Sequence, residues 1–87
     1  MNRSWNWRIR EFTASDATYV ARQFAADDPF KHYAGQCRHK GCTKAAECYV
    51  LYDYSTGARG RVSTAQKQFC RPHAEHRMAG IPAGQRA

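Results

Sequence analysis

Two short stretches decide how this chain reads: Cys37-Arg38-His39-Lys40-Gly41-Cys42 and, after a further 27 residues, Cys70-Arg71-Pro72-His73. A close pair of thiols followed much later by a Cys-x-x-His can converge on one ion. Thiolate and imidazole are soft-to-borderline donors that suit a tetrahedral zinc without redox chemistry. Pro72 is tolerated in a first helical turn, whose amides have no partners, so the second stretch reads as a helix start. There the helix dipole favours a deprotonated Cys70, the form a metal requires. The expected ligands are Cys37, Cys42, Cys70 and His73 around one structural Zn2+.

The gap between the pairs has a physical purpose. Residues 47–54, ECYVLYDY, are rich in aromatic and branched side chains and short enough for a strand. Residues 55–60, with Gly57 and Gly60 free to take positive φ, supply turn chemistry, and residues 61–69 can run back as a second strand. A hairpin leaves and returns at the same edge, so it brings the two ligand pairs together. Gly80 then ends the helix about two turns after it starts.

Knuckle, hairpin and helix, with the second ligand pair in the first helical turn, resemble a treble-clef zinc finger. The resemblance covers residues 37–79 and rests on CRHKGC, the hairpin pattern and CRPH. It implies a zinc-stapled α+β fold. The usual knuckle has two residues between its cysteines where this one has four, and the second pair ends in His73 rather than Cys.

Before the finger, Trp5, Trp7 and Ile9 alternate with polar residues, the period of a short strand with one apolar face. Thr13 and Asp16 form a capping signature for a helix whose Ala17, Val20, Ala21 and Phe24 share a face. Pro29 disfavours helical geometry at Asp28 and is expected to end that helix. The fold class expected is a small α+β zinc-binding domain: N-terminal strand and helix, zinc knuckle, β-hairpin and short C-terminal helix. One domain spans residues 1–87, with a strand–helix part over 1–36, the finger over 37–79 and a flexible tail over 80–87.

Composition sets the outer bounds. Leu, Ile, Val and Phe number ten of 87 residues, which is few for a chain with 14 basic and 7 acidic groups. Eleven aromatic residues compensate in part. Domains this small commonly need a metal or disulfide staple. The N-terminal residues lack the apolar run of a secretory signal and no stretch approaches a membrane helix, so a cytoplasmic protein is expected. A reducing compartment turns close thiols toward metal rather than any of the three disulfide pairings. Arg outnumbers Lys ten to four, and Ala and Gly are frequent, a composition suggestive of a GC-rich bacterial genome or its phages.

Rival donors are few. Cys48 shares a strand face with Val50, Tyr52 and Tyr54 and reads as a buried free thiol; the alternative has it replacing Cys42 or His73. A four-thiol iron–sulfur cluster commonly shows a Cys-x2-Cys pair, which is missing. His39 is expected in solvent, His76 is the substitute for His73, and His32 is structural. Four protein ligands leave no open position for a reacting water, and neither Glu47 nor Glu75 sits in a zinc-hydrolase spacing. The chain is therefore expected to be non-enzymatic, with no small-molecule substrate.

Charge points to partners. Residues 1–36 carry a balance of +1 and residues 37–87 one of +6. Clustered cations are what phosphates require, and aromatics among them can stack on unpaired bases. Arg38, Lys40, Arg59, Arg61, Lys67 and Arg71 are the candidate contacts to DNA or RNA, with Tyr49, Tyr52 and Tyr54 as stacking candidates. The leading expectation is a nucleic-acid binder, for example a bacterial or phage regulator of transcription. The alternative is a protein-interaction module acting on the transcription machinery or another cellular protein, favoured if Trp5 or Trp7 is exposed.

Overall fold

The computed structural model describes residues 3–57 and 59–87; Met1, Asn2 and Ala58, the last within the expected turn, lie outside the described residues. Strand β1 (Ser4–Glu11) leads to helices α1 (Ala14–Phe24) and α2 (Pro29–Ala34). Strands β2 (Cys48–Ser55) and β3 (Val62–Phe69) follow, then helix α3 (Arg71–Ala79) and a 3-10 turn at Ala83–Gln85. The three strands form one antiparallel sheet in the order β1-β2-β3.

The hairpin is in register along its whole length, from Cys48 opposite Phe69 to Ser55 opposite Val62. Gly57 and Gly60 take φ of 88° and 70°, as the turn demands. One sheet face carries Trp7, Cys48, Val50 and Phe69, and α3 lies across it with Ala74 fully buried. The other face is thinner. Tyr49 is buried there under the Phe12 ring, 4.7 Å away, and the Arg10 guanidinium, 4.8 Å from its centroid.

The expected Trp5–Trp7–Ile9 face is corrected by a bulge. Trp5 pairs with Asp53 and Arg8 with Leu51, so two residues of β1 oppose Tyr52 alone. Asn6 takes φ 58° there, a conformation Asn tolerates. The extra residue turns Trp5 onto the Asp53 face, while Trp7 stacks on Tyr52 at 4.1 Å in the core. Asn6 closes the bulge by donating to the Asp53 carboxylate at 2.9 Å.

Thr13 caps α1 as expected, its Oγ1 accepting from the Asp16 N–H while the Asp16 carboxylate accepts from the Thr13 N–H. The helix stops at Phe24 rather than continuing to Asp28, and of its apolar face only Val20 is buried. Pro29 opens a second helix instead of only ending the first. Asp28 is its N-cap, accepting from the Phe30 N–H at 2.9 Å. His32 has the expected structural role, its Nδ1 2.6 Å from the Phe24 carbonyl and its ring against that of Phe24.

Residues 80–87 are placed against the body of the fold. Ile81 packs against the main core, Arg86 bridges to Trp7, and the Ala87 N–H donates to the Trp7 carbonyl. This segment covers the outer edge of β1.

Candidate metal centre

The knuckle is built on a short ribbon. The Cys37 N–H donates to the Lys44 carbonyl and the Ala46 N–H to the Gly35 carbonyl, both at 2.9 Å. The two residues beyond a usual knuckle are taken up in a turn closed by the Cys42 N–H on the His39 carbonyl, with Gly41 at φ 85°. The hairpin ladder runs one rung further, through the Glu47 N–H to the Phe69 carbonyl, and the Arg38 N–H docks on the Gln68 carbonyl. Cys70, at the N-cap of α3, is thereby delivered to the knuckle.

Cys37, Cys42, Cys70 and His73 come together with their donor atoms all within 4.8 Å of one another. The Cys42–Cys70 sulfur separation is 3.9 Å, and His73 Nδ1 lies 3.6 Å from Cys37 Sγ and 3.1 Å from Cys70 Sγ. A tetrahedral zinc with bonds of about 2.3 Å to sulfur and about 2.0 Å to nitrogen sets edges of roughly 3.8 and 3.5 Å. The donor set is thus close enough to hold one metal ion, and its chemistry suits one.

The local electrostatics divide. Burial pushes the Cys37 thiol up to about 11, against backbone amides of Cys70 and His39 that favour its thiolate. The Lys44 backbone amide lowers Cys42. Burial, together with neighbouring His39 and His76, lowers His73 and so favours the neutral imidazole that ligates.

The rival donors stand aside. Cys48 lies in β2, fully buried, its Sγ donating to the Phe69 carbonyl at 3.7 Å, and burial raises its thiol. His76 is outside the donor group. His39 is exposed, as expected, but its ring stacks on His73 at 3.8 Å and shields one side of that ligand.

The six cationic candidates do not form one surface. Arg38, Lys40 and Lys67 line a groove between the knuckle, β3 and α3, joined by Tyr33 and Arg77. Arg59 and Arg61 are exposed at the hairpin tip. Val62 is five residues from Lys67, which places the tip about 17 Å from the groove. Arg71 is engaged within the chain: its guanidinium grips the Glu11 carboxylate with both nitrogens, which lowers the Glu11 carboxyl. Of the stacking candidates, Tyr49 is buried while Tyr52 and Tyr54 stay half-exposed.

Sequence reasoning passed over two residues of this region. Tyr33 is exposed with the Arg38 guanidinium 4.5 Å over its ring; an aromatic four residues before a knuckle cysteine was the available signal. Glu47, considered only as a base, instead caps α3 by accepting from the Arg71 N–H at 3.0 Å.

Among the described residues no helix is long and apolar enough to cross a membrane. Comparison of the chain with protein-family models, curated proteins and solved structures finds no match in any of the three.

Proposed function

We propose that this chain is a zinc-stapled, non-enzymatic protein that binds nucleic acid through the cationic groove beside its metal cluster. The knuckle, hairpin and helix order supports a treble-clef-like finger, and the Cys3His spacing supports zinc as its ion. With four protein donors a tetrahedral zinc has no position left for a reacting water, so the ion is structural.

The observation that carries the nucleic-acid reading is the segregation of charge. Among the described residues the ion pairs engage Arg8, Arg10 and Arg71, all with carboxylates on or beside β1 and β2. Arg38, Lys40, Lys67 and Arg77 have none of these pairs, and among the described residues no Asp or Glu lines their groove. Cations gathered without counter-charge suit a polyanion.

The test pairs metal analysis with a mobility shift. One zinc per chain, and a shift that weakens steeply as salt rises, are expected. An Arg38→Glu/Lys67→Glu variant is expected to keep its zinc and lose the shift. No shift by wild-type protein even at low salt would exclude nucleic acid as the partner. A protein-interaction module is the second reading, favoured by Phe30, 87% exposed on α2. Trp7 does not add to it, because that ring is buried in the core.

A further inference from the structure

We infer that the groove takes single-stranded rather than duplex nucleic acid, an inference that rests on the nucleic-acid reading above. Two depressions on the α3 side of the sheet share Arg77. The first is the cationic groove already described; the second is a slot of Trp7, Tyr52, Tyr54 and Ala65, with Arg3 at its rim. Among the described residues no carboxylate lines either. Arg77 sits where they meet, its guanidinium 5.5 Å from the Trp7 ring centroid.

The aromatics mark the two ends of this track. Tyr33 is beside Arg38, whose amide docks on the Gln68 carbonyl at one end of β3. Tyr54 is opposite Ser63, near the other end. Five residues of extended strand separate those positions, about 17 Å, room for several nucleotides in line. Arg38 covers one face of the Tyr33 ring, and the residue is 54% exposed. Tyr54 is half-exposed and tilted 50° to Tyr52, with ring centroids 6.0 Å apart.

A duplex keeps its base faces stacked inside the helix and offers side chains only groove edges and phosphates. An exposed phenol ring at one end of a concave cationic track and a partly buried one at the other suit unpaired bases, whose faces are free to stack on them. Arg38, Lys40, Lys67 and Arg77 are placed to follow the phosphates between those ends. With four phosphates neutralised, the slope of log affinity against log salt is expected near roughly −3 for a single strand.

The test is fluorescence anisotropy with the zinc-loaded full chain and labelled 12-residue probes. These are a mixed-sequence DNA strand, its RNA counterpart, the blunt DNA duplex and an abasic DNA strand. At least one base-bearing strand is expected to bind tenfold or more tighter than the duplex and the abasic strand. Tyr33→Leu and Tyr54→Leu are expected each to weaken that strand fivefold or more, and to weaken the duplex by less, while leaving zinc content unchanged, and Tyr→Phe at either site to restore it. Equal or tighter duplex binding, or indifference to both Leu variants, would overturn single-strand selection while leaving a nucleic-acid binder. Absence of binding to every probe at low salt would remove the underlying reading, and this inference with it.

Discussion

Glu47 accepts a hydrogen bond from the Arg71 backbone N–H at 3.0 Å, so a carboxylate at the edge of β2 caps a helix 24 residues later in the chain. The N-cap of that helix is Cys70, which makes no side-chain cap bond because its sulfur faces the other donors of the Cys3His cluster. Glu47 supplies from across the sheet what Ser, Thr or Asp supplies at an ordinary N-cap. The same helix start is gripped from β1, where Glu11 holds the Arg71 side chain. Removing Glu47 is expected to loosen the element that presents both Cys70 and His73. Glu47→Ala should destabilise the metal-loaded protein by about 1 kcal/mol and weaken its hold on zinc in competition with a chromogenic chelator. Unchanged stability and affinity would show that the cap is idle.

Metal removal is expected to unfold the finger, because among the described residues eight buried ones make up the main core and four of them are cysteines. Chelator should abolish the thermal transition and added zinc restore it. Cys37→Ser, Cys42→Ser and Cys70→Ser should each lose the metal. Cys48→Ala should keep one zinc per chain while costing on the order of 1 kcal/mol for the lost core sulfur. Elemental analysis beside thermal denaturation distinguishes these cases, and zinc that depended on Cys48 would overturn the ligand set.

Gly35 is where α2 meets α1. A Cβ at this position would lie 2.5 Å from both the Phe24 nitrogen and the Val20 carbonyl oxygen, which are backbone atoms and cannot swing away. Gly35→Ala should therefore destabilise the protein by about 2 kcal/mol or more. Gly84→Ala, which meets nothing within 4 Å, should be near neutral. Denaturant midpoints of the two variants provide the comparison.

The capping box of α1 gives a pH expectation. The Thr13 N–H, chiefly, and then the Thr13 hydroxyl and Arg10 hold the Asp16 carboxyl below its ordinary 3.8. A depressed carboxyl stabilises the fold in full above its unfolded value, and that contribution fades as pH falls through the folded one. The stability difference between wild type and Asp16→Asn should thus stay flat from pH 8 to about pH 5. It should shrink only as pH falls below that ordinary value, and a difference that stays the same there would show that the carboxylate is not held.

What could be read from sequence follows a physical divide. The convergence of Cys37, Cys42, Cys70 and His73 was legible because thiols and imidazole are scarce and their chemistry converges. The α1 cap was legible because Thr13 and Asp16 act within one turn. The β1 bulge was not, because no Gly or Pro marks it and its cause, the pairing of Asn6 with Asp53, spans 47 positions. Asp28-Pro29 carried two meanings, a stop for one helix and a start for the next, and only the first was read. Arg71 looked like a free cation because its partner, Glu11, is 60 positions away. The tail 80–87 looked loose by composition, yet Ile81 had a core to join.

The unbroken register of β2 with β3 bears on the order in which the molecule assembles. Bringing Cys42 to Cys70 through an unstructured chain means closing a loop of 27 residues. Once the hairpin has zipped from its turn to the Cys48–Phe69 rung, only short stretches remain to be closed. At (3/2)RT per logarithmic unit of loop length, shrinking the free loop to a handful of residues lowers the closure entropy by roughly 1–2 kcal/mol. Hairpins form within microseconds, far ahead of slower rearrangements of the chain. On the zinc reading proposed above, an ion arriving afterwards would meet two donor pairs already at close quarters, and its capture would be a late and nearly local event.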